Sequence, residues 1–149
     1  MSDFLIDTNL LVYMHDPRDK YKQARSSAIV DRLAKEGAAV LSVQCLTEFY
    51  RAVRWRIPES LAADQALEEA GRYARNCRVL PLTVTAALDA MRASERYSMS
   101  FWDSLIWAVA KEGSISYLLT DDFDDGATVE GVRFLNPFNA SFDVESLLS

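Results

Sequence analysis

The sequence predicts a single α/β domain over residues 1–149, a three-layer α/β/α sandwich with a mainly parallel sheet of about five strands. Three observations lead there. Short apolar runs recur along the chain, longer segments with helical periodicity separate them, and hairpin turn signals are missing between most of the runs. At 149 residues and 50% hydrophobic, the chain has the size of one ordinary domain and little room for a second core.

Phe4-Leu5-Ile6 is the first strand, an apolar run ending at Asp7. Thr8 and Asn9 then open an apolar stretch from Leu10 to Met14, so the strand turns straight into a short helix with a polar residue at the joint. His15-Asp16-Pro17-Arg18-Asp19 is a loop, because Pro restricts the residue before it. A second helix runs from Lys20 to Lys35, with Ala24, Ala28, Val30 and Leu33 on or near one face and Gly37 as its stop. Ala38 to Ser42 is the second strand. Val43 to Trp55 is a helix in which Leu46, Phe49, Tyr50 and Val53 follow i, i+3, i+4, i+7 spacing, with Pro58 just beyond its end. Another helix, Leu61 to about Arg75, precedes a third strand at Val79-Leu80. Thr83 to Tyr97 repeats the helical spacing with Val84, Ala87, Leu88, Met91 and Glu95. Ser100 begins a helix that buries Phe101, Leu105 and Ala108, with Trp102 and Ile106 as further buried candidates. Tyr117-Leu118-Leu119 is the fourth strand and Val132 to Leu135 the fifth, before Asn136-Pro137.

Composition removes several function classes. Sixteen Lys plus Arg against 22 Asp plus Glu give a net charge of −6, so the bulk charge does not attract nucleic acid and an anionic substrate needs a local device. One histidine, His15, excludes His-rich metal sites and is read as a loop residue. Cys45 and Cys77 are too few and too far apart for a disulfide framework, and Cys45 reads as a buried small hydrophobe. The five glycines form neither GxGxxG nor GxxxxGK[ST]. The N-terminus lacks a signal-peptide pattern and no uncharged stretch is long enough to cross a bilayer, so a cytoplasmic protein without membrane contact is expected.

Carboxylate chemistry is what remains. In open parallel sheets the functional crevice lies at the carboxyl ends of the strands. Asp7 follows the first strand; Asp121, Asp122, Asp124 and Asp125 follow the fourth; Glu48 and Asp103 sit within apolar helices. Convergence of such acids would raise their pKa values or recruit a cation, and hard divalent ions such as Mg²⁺ take oxygen ligands and suit phosphodiester cleavage. Each acid has a structural reading as well. Asp7 can cap the helix opening at Thr8, Asp103 lies three residues after Ser100 as in a capping box, Glu48 can be a solvated flank, and Asp121 to Asp125 before Gly126 can be an exposed turn.

Taken together, Leu5-Ile6-Asp7-Thr8-Asn9-Leu10-Leu11-Val12-Tyr13, Thr47-Glu48-Phe49, Phe101-Trp102-Asp103-Ser104-Leu105-Ile106, Leu119-Thr120-Asp121-Asp122 and Asn136-Pro137-Phe138 resemble the ordered signature of PIN-domain ribonucleases, specifically VapC-type toxins. The resemblance spans residue 4 to about 138. It implies a PIN-like fold and a Mg²⁺- or Mn²⁺-dependent endoribonuclease that acts as the toxin of a toxin–antitoxin pair on a structured RNA such as tRNA. By motif, the catalytic acids would be Asp7, Glu48, Asp103 and Asp122, with Asp7 and Asp103 in direct metal contact and Thr8, Asn9 and Thr120 orienting them. Asp121, Asp124 and Asp125 remain substitutes for the fourth acid. A homodimer and a cognate antitoxin lying across the active-site groove are also implied.

Two basic groups could meet RNA phosphates: Arg51, Arg54 and Arg56 after Glu48, and Arg18, Lys20, Lys22 and Arg25 after Asp7. The competing functions are an aspartate-based phosphotransferase or phosphatase with Asp7 as nucleophile, disfavoured because position 9 is Asn and not Asp, and a non-catalytic PIN-like binding module.

Overall fold

The computed structural model describes residues 2–149. Thirteen elements follow one another: β1 (Phe4–Ile6), α1 (Thr8–Tyr13), α2 (Lys20–Lys35), β2 (Ala39–Ser42), α3 (Val43–Trp55), α4 (Ala63–Asn76), β3 (Arg78–Leu80), α5 (Val84–Tyr97), α6 (Phe101–Glu112), β4 (Tyr117–Leu119), β5 (Thr128–Val129), β6 (Val132–Leu135) and α7 (Val144–Leu148). The sheet has six strands in the order β3-β2-β1-β4-β6-β5, parallel throughout except for the β5–β6 pair. The expected strands are therefore present and parallel. The sixth, β5, is a two-residue strand joined to β6 by Glu130 and Gly131, both at positive φ, as tight hairpin turns require.

Alternation along the short strands splits the core into two layers. Phe4 and Ile6 of β1 join Leu41, Leu119 and Leu135 on the face covered by α1 to α4 and α7, whereas Leu5, Val40, Leu118 and Phe134 face the α5–α6 pair. Both faces of the sheet are thus buried, which is why its strands read as continuous apolar runs.

Three helices pack differently from their sequence expectation. On α2 the buried stripe is Ser26, Ile29, Val30 and Leu33, and Ala24 and Ala28 face solvent. On α5 the inward residues are Ala86, Ala90 and Ala93, while Val84, Leu88 and Met91 are 77%, 60% and 50% exposed. Small side chains let α5 approach α6 closely, and that contact, rather than the larger apolar residues, sets the helix's rotation. On α6, Leu105, Ile106 and Ala108 are buried as expected, but Phe101 and Trp102, in its first turn, stay exposed. Among the described residues no helix is long and apolar enough to cross a membrane.

Candidate active site

The chain moves outward from β1 to β2 and β3 on one side and then returns to place β4 on the other, so the order of the strands reverses between β1 and β4. Register pairs Ile6 with Leu119, which brings the ends of these two strands level. Crevices open at such reversals, and here both strand ends carry acids.

Asp7 continues β1 by donating its backbone N–H to the Leu119 carbonyl at 3.0 Å. Its Oδ1 accepts the Thr8 N–H at 2.7 Å and its Oδ2 accepts the Thr120 hydroxyl at 2.8 Å. The capping reading of Asp7 therefore holds, and its second oxygen is tied to the end of β4. Thr120 is buried and also accepts the Asp122 N–H at 3.1 Å, so one hydroxyl ties together the two strand ends. Protein surrounds Asp7 on nearly all sides, although part of its surface stays open to a cavity. Burial first, and then the charges of Asp122 and Asp103, push its pKa up to about 7 against the opposing bonds from Thr120 and Thr8.

Glu48 projects from α3 and is held at both oxygens. Thr8 Oγ1 donates to Oε2 at 3.0 Å and Gln44 Nε2 donates to Oε1 at 3.0 Å. Gln44 was not foreseen as a site residue; its signal is the i, i+4 spacing to Glu48 on one helix. Asn9 donates to Asp122 Oδ2 at 2.7 Å and to Asp121 Oδ1 at 3.2 Å. Burial, and next the charge of Asp121, hold the Asp122 pKa above its ordinary value. Asp103 lies in the first turn of α6, where its N–H is capped by Ser100 Oγ at 3.1 Å; among the described residues its carboxylate accepts no hydrogen bond.

Asp7, Glu48, Asp103 and Asp122 line one cavity of about 250 Å³, together with Thr8, Asn9, Gln44 and Cys45. The other three acids of the Asp121–Asp125 run are turned elsewhere. Asp121 accepts Tyr13 at 2.7 Å and Lys22 at 3.2 Å, and these bonds outweigh burial and keep its pKa below the ordinary value. Asp125 receives the Asn136 N–H at 2.9 Å and the Asn139 amide at 2.8 Å, which fixes the turn after β6. Asp124 borders a different hollow.

The donor set around the cavity is all oxygen. The Cys45 thiol is also there, but burial and the Asp7 charge push its pKa up to about 11, so it does not offer a thiolate. His15 stays out of the cavity, bonded to the Tyr73 hydroxyl at 2.8 Å and packed on Phe49. Four carboxylates around one cavity, with burial raising the pKa of Asp7 and Asp122, suit a hard divalent cation. Among the described residues no three of them stand close enough to form a closed cage; they form the walls of the cavity instead.

Of the basic residues, Arg18 and Arg56 line this cavity and Arg51 lines an adjoining hollow. Three others are engaged elsewhere: Arg54 binds the Leu61 carbonyl, Lys22 binds Asp121, and Arg25 binds the Phe142 carbonyl.

Known proteins share this arrangement of strands and helices. VapC20 of Mycobacterium tuberculosis, described as a sarcin–ricin-loop-cleaving toxin, superposes with a TM-score of 0.65 at 22% identity, over 88% of this chain and 99% of that one. A toxin–antitoxin complex from Klebsiella pneumoniae matches with a TM-score of 0.63 at 15% identity, over 91% and 98% of the two chains. DNA-bound VapBC from Salmonella typhimurium matches with a TM-score of 0.61 at 17% identity, over 90% and 97%. No curated protein sequence matches the chain significantly. The sequence model of the PIN domain matches residues 4–127, which include all four cavity acids, and the chain belongs to the PIN domain family.

Proposed function

We propose that this chain is one PIN domain acting as a metal-dependent endoribonuclease, the toxin of a toxin–antitoxin pair, on a structured RNA such as tRNA. The observation that carries the reading is Asp7: an enclosed carboxylate, pushed up to about 7, flanked by Asp103 and Asp122 in an open cavity at the sheet's reversal point. A strand-end cap needs no such company of acids.

In this reading Asp7 and Asp103 hold Mg²⁺ or Mn²⁺, with Glu48 and Asp122 completing the acidic wall. The bound ion supplies the positive charge that offsets the scissile phosphate and the acidity that readies a water for attack. The chain's own residues set geometry. Thr120 and the Thr8 N–H fix both oxygens of Asp7, Thr8 and Gln44 fix Glu48, and Asn9 fixes Asp122, so these three acids keep their orientation as substrate enters. Asp103 is the acid free to turn toward a ligand.

The phosphotransferase alternative is supported less well, since Asn9 takes the place of its second aspartate and spends its amide on Asp121 and Asp122. Protein partners in this reading are a second copy of the chain and a cognate antitoxin, tested by sedimentation and co-purification. The free thiols Cys45 and Cys77 suit a reducing cytoplasm.

The deciding experiment maps new ends in total cellular RNA after incubation with purified protein, comparing Mg²⁺ or Mn²⁺, chelator, and Asp7→Asn. Ends at a few defined sites that need both metal and Asp7 support the proposal. Folded, antitoxin-free protein that makes no metal-dependent ends overturns it.

A further inference from the structure

We infer that Trp102, with Arg51 and Arg56, forms a subsite for one unpaired nucleotide of the RNA next to the acidic cavity; this rests on the nuclease reading above. Trp102 is 65% exposed, although it stands in the first turn of α6 beside Asp103. Its ring borders the acidic cavity and also a second hollow of about 450 Å³ formed with Glu48, Arg51 and Arg56. Glu48, Arg56 and Trp102 belong to both, so the two hollows are continuous. Phe101 meets the indole at 5.5 Å with the planes 68° apart, a brace that limits its swing without stacking on it.

The other exposed indole shows what is particular here. Trp55 is equally exposed, but the Arg54 guanidinium covers its face at 5.1 Å. Trp102 has no such cation over it among the described residues. Among the described residues, the two arginines beside it are free of carboxylate partners as well. Arg18, Arg32, Arg72 and Arg92 are each ion-paired, whereas Arg51 and Arg56 make no ion pair among the described residues.

An open aromatic face with two uncommitted cations matches a nucleobase flanked by phosphates. In a chain of net charge −6 these arginines are also the local device that lets a polyanion approach four acids. Stacking accepts every base, because every base has a π face, so the subsite selects an unpaired nucleotide and not its identity. RNA is favoured over a protein strand as occupant because the hollow pairs its π face with cations rather than with further apolar surface.

The test titrates the full chain, in chelator, with a short oligoadenylate and separately with inorganic polyphosphate. Trp102→Ala should weaken oligoadenylate about 10-fold and leave polyphosphate unchanged, and Trp102→Phe should restore most of the loss, since a phenyl ring still stacks. The paired change Arg51→Gln with Arg56→Gln should weaken both ligands and flatten the salt dependence. Oligoadenylate binding that is indifferent to Trp102→Ala, or a loss shared equally by polyphosphate, overturns the subsite and leaves the ring for a protein partner. The nuclease reading is judged separately by end mapping with wild-type protein. Cleavage that persists while Trp102→Ala changes nothing sinks the subsite alone; Trp102-dependent binding without any cleavage sinks the nuclease reading alone.

Discussion

Two clusters of acids in this protein settle their charge in opposite ways. Around the β5–β6 turn, Glu130 accepts the Tyr97 hydroxyl at 2.6 Å, Arg92 at 2.9 Å and Lys111 at 2.9 Å, and Asp89 shares the same two cations. The Tyr97 bond, then Arg92 and Lys111, hold Glu130 down to about 2. In the cavity at the ends of β1 and β4 the acids receive hydroxyls and amides but no ion-paired cation, and Asp7 rises to about 7. The same residue types thus carry pKa values on opposite sides of the ordinary carboxylate range. A cluster that neutralises itself belongs to the fold; one that stays short of positive charge is waiting for something to bring it.

The largest expected effect follows from removing an acid in each place. Asp7→Asn should lower RNA cleavage by about 100-fold or more, and Asp89→Asn should leave it within about 3-fold, as read by the end-mapping yield. Equal effects of the two would erase the distinction.

Second is pH. The folded pKa of Asp7 lies above the ordinary 3.8, so the fold favours the protonated acid, and this contribution to stability is lost as pH rises toward and through about 7. Fully enclosed, the shift would amount to about 4 kcal/mol; the open side of the cavity reduces this to about 2 kcal/mol. His15 works against this trend, because burial lowers its pKa and favours its neutral form as pH rises. The clean quantity is therefore the stability difference between wild type and Asp7→Asn, measured by urea unfolding in chelator. It should swing toward the variant by about 1 kcal/mol between pH 5 and pH 8. A flat difference would place Asp7 in ordinary solvent.

Third is metal. At pH 8, Mg²⁺ or Mn²⁺ at ten times its dissociation constant should stabilise wild type by about 1.4 kcal/mol and Asp7→Asn not at all. Glu130→Gln should keep the whole gain. The smallest effect belongs to that variant itself, whose loss of stability should be about 0.5–1 kcal/mol and shrink with added salt, since its network is partly exposed. A salt-independent loss of several kcal/mol would mean that the compensated cluster is buried more deeply than its surface suggests.

The strands and the acids at their ends that line the cavity were legible for the same reason: both are local. Phe4-Leu5-Ile6-Asp7 and Leu118-Leu119-Thr120 announce a buried strand and a polar end within a few residues, and a parallel sheet places those ends together. What escaped reading depends on partners far along the chain. The rotation of α5 is set by alanines against α6, which periodicity of large residues points away from. Trp102 stays exposed in the first turn of α6, whereas hydrophobicity alone assigns that ring to the core. β5 is two residues before a Glu-Gly turn, a weaker hairpin signal than Asn-Gly, and α7 is too short to show a period. Asp125 illustrates the limit near the cavity: it is three residues from the cavity acid Asp122, yet its bonds go to Asn136 and Asn139.

The sheet ends in two residues of β5 on one side and three of β3 on the other. A strand that short offers a foreign chain hardly any rungs to zip onto, and β3 starts with an exposed arginine. Protein made in excess of any partner should therefore stay dispersed at high concentration instead of growing ribbons edge to edge. Replacing the β5–β6 turn with a longer apolar strand would be the way to turn that resistance off.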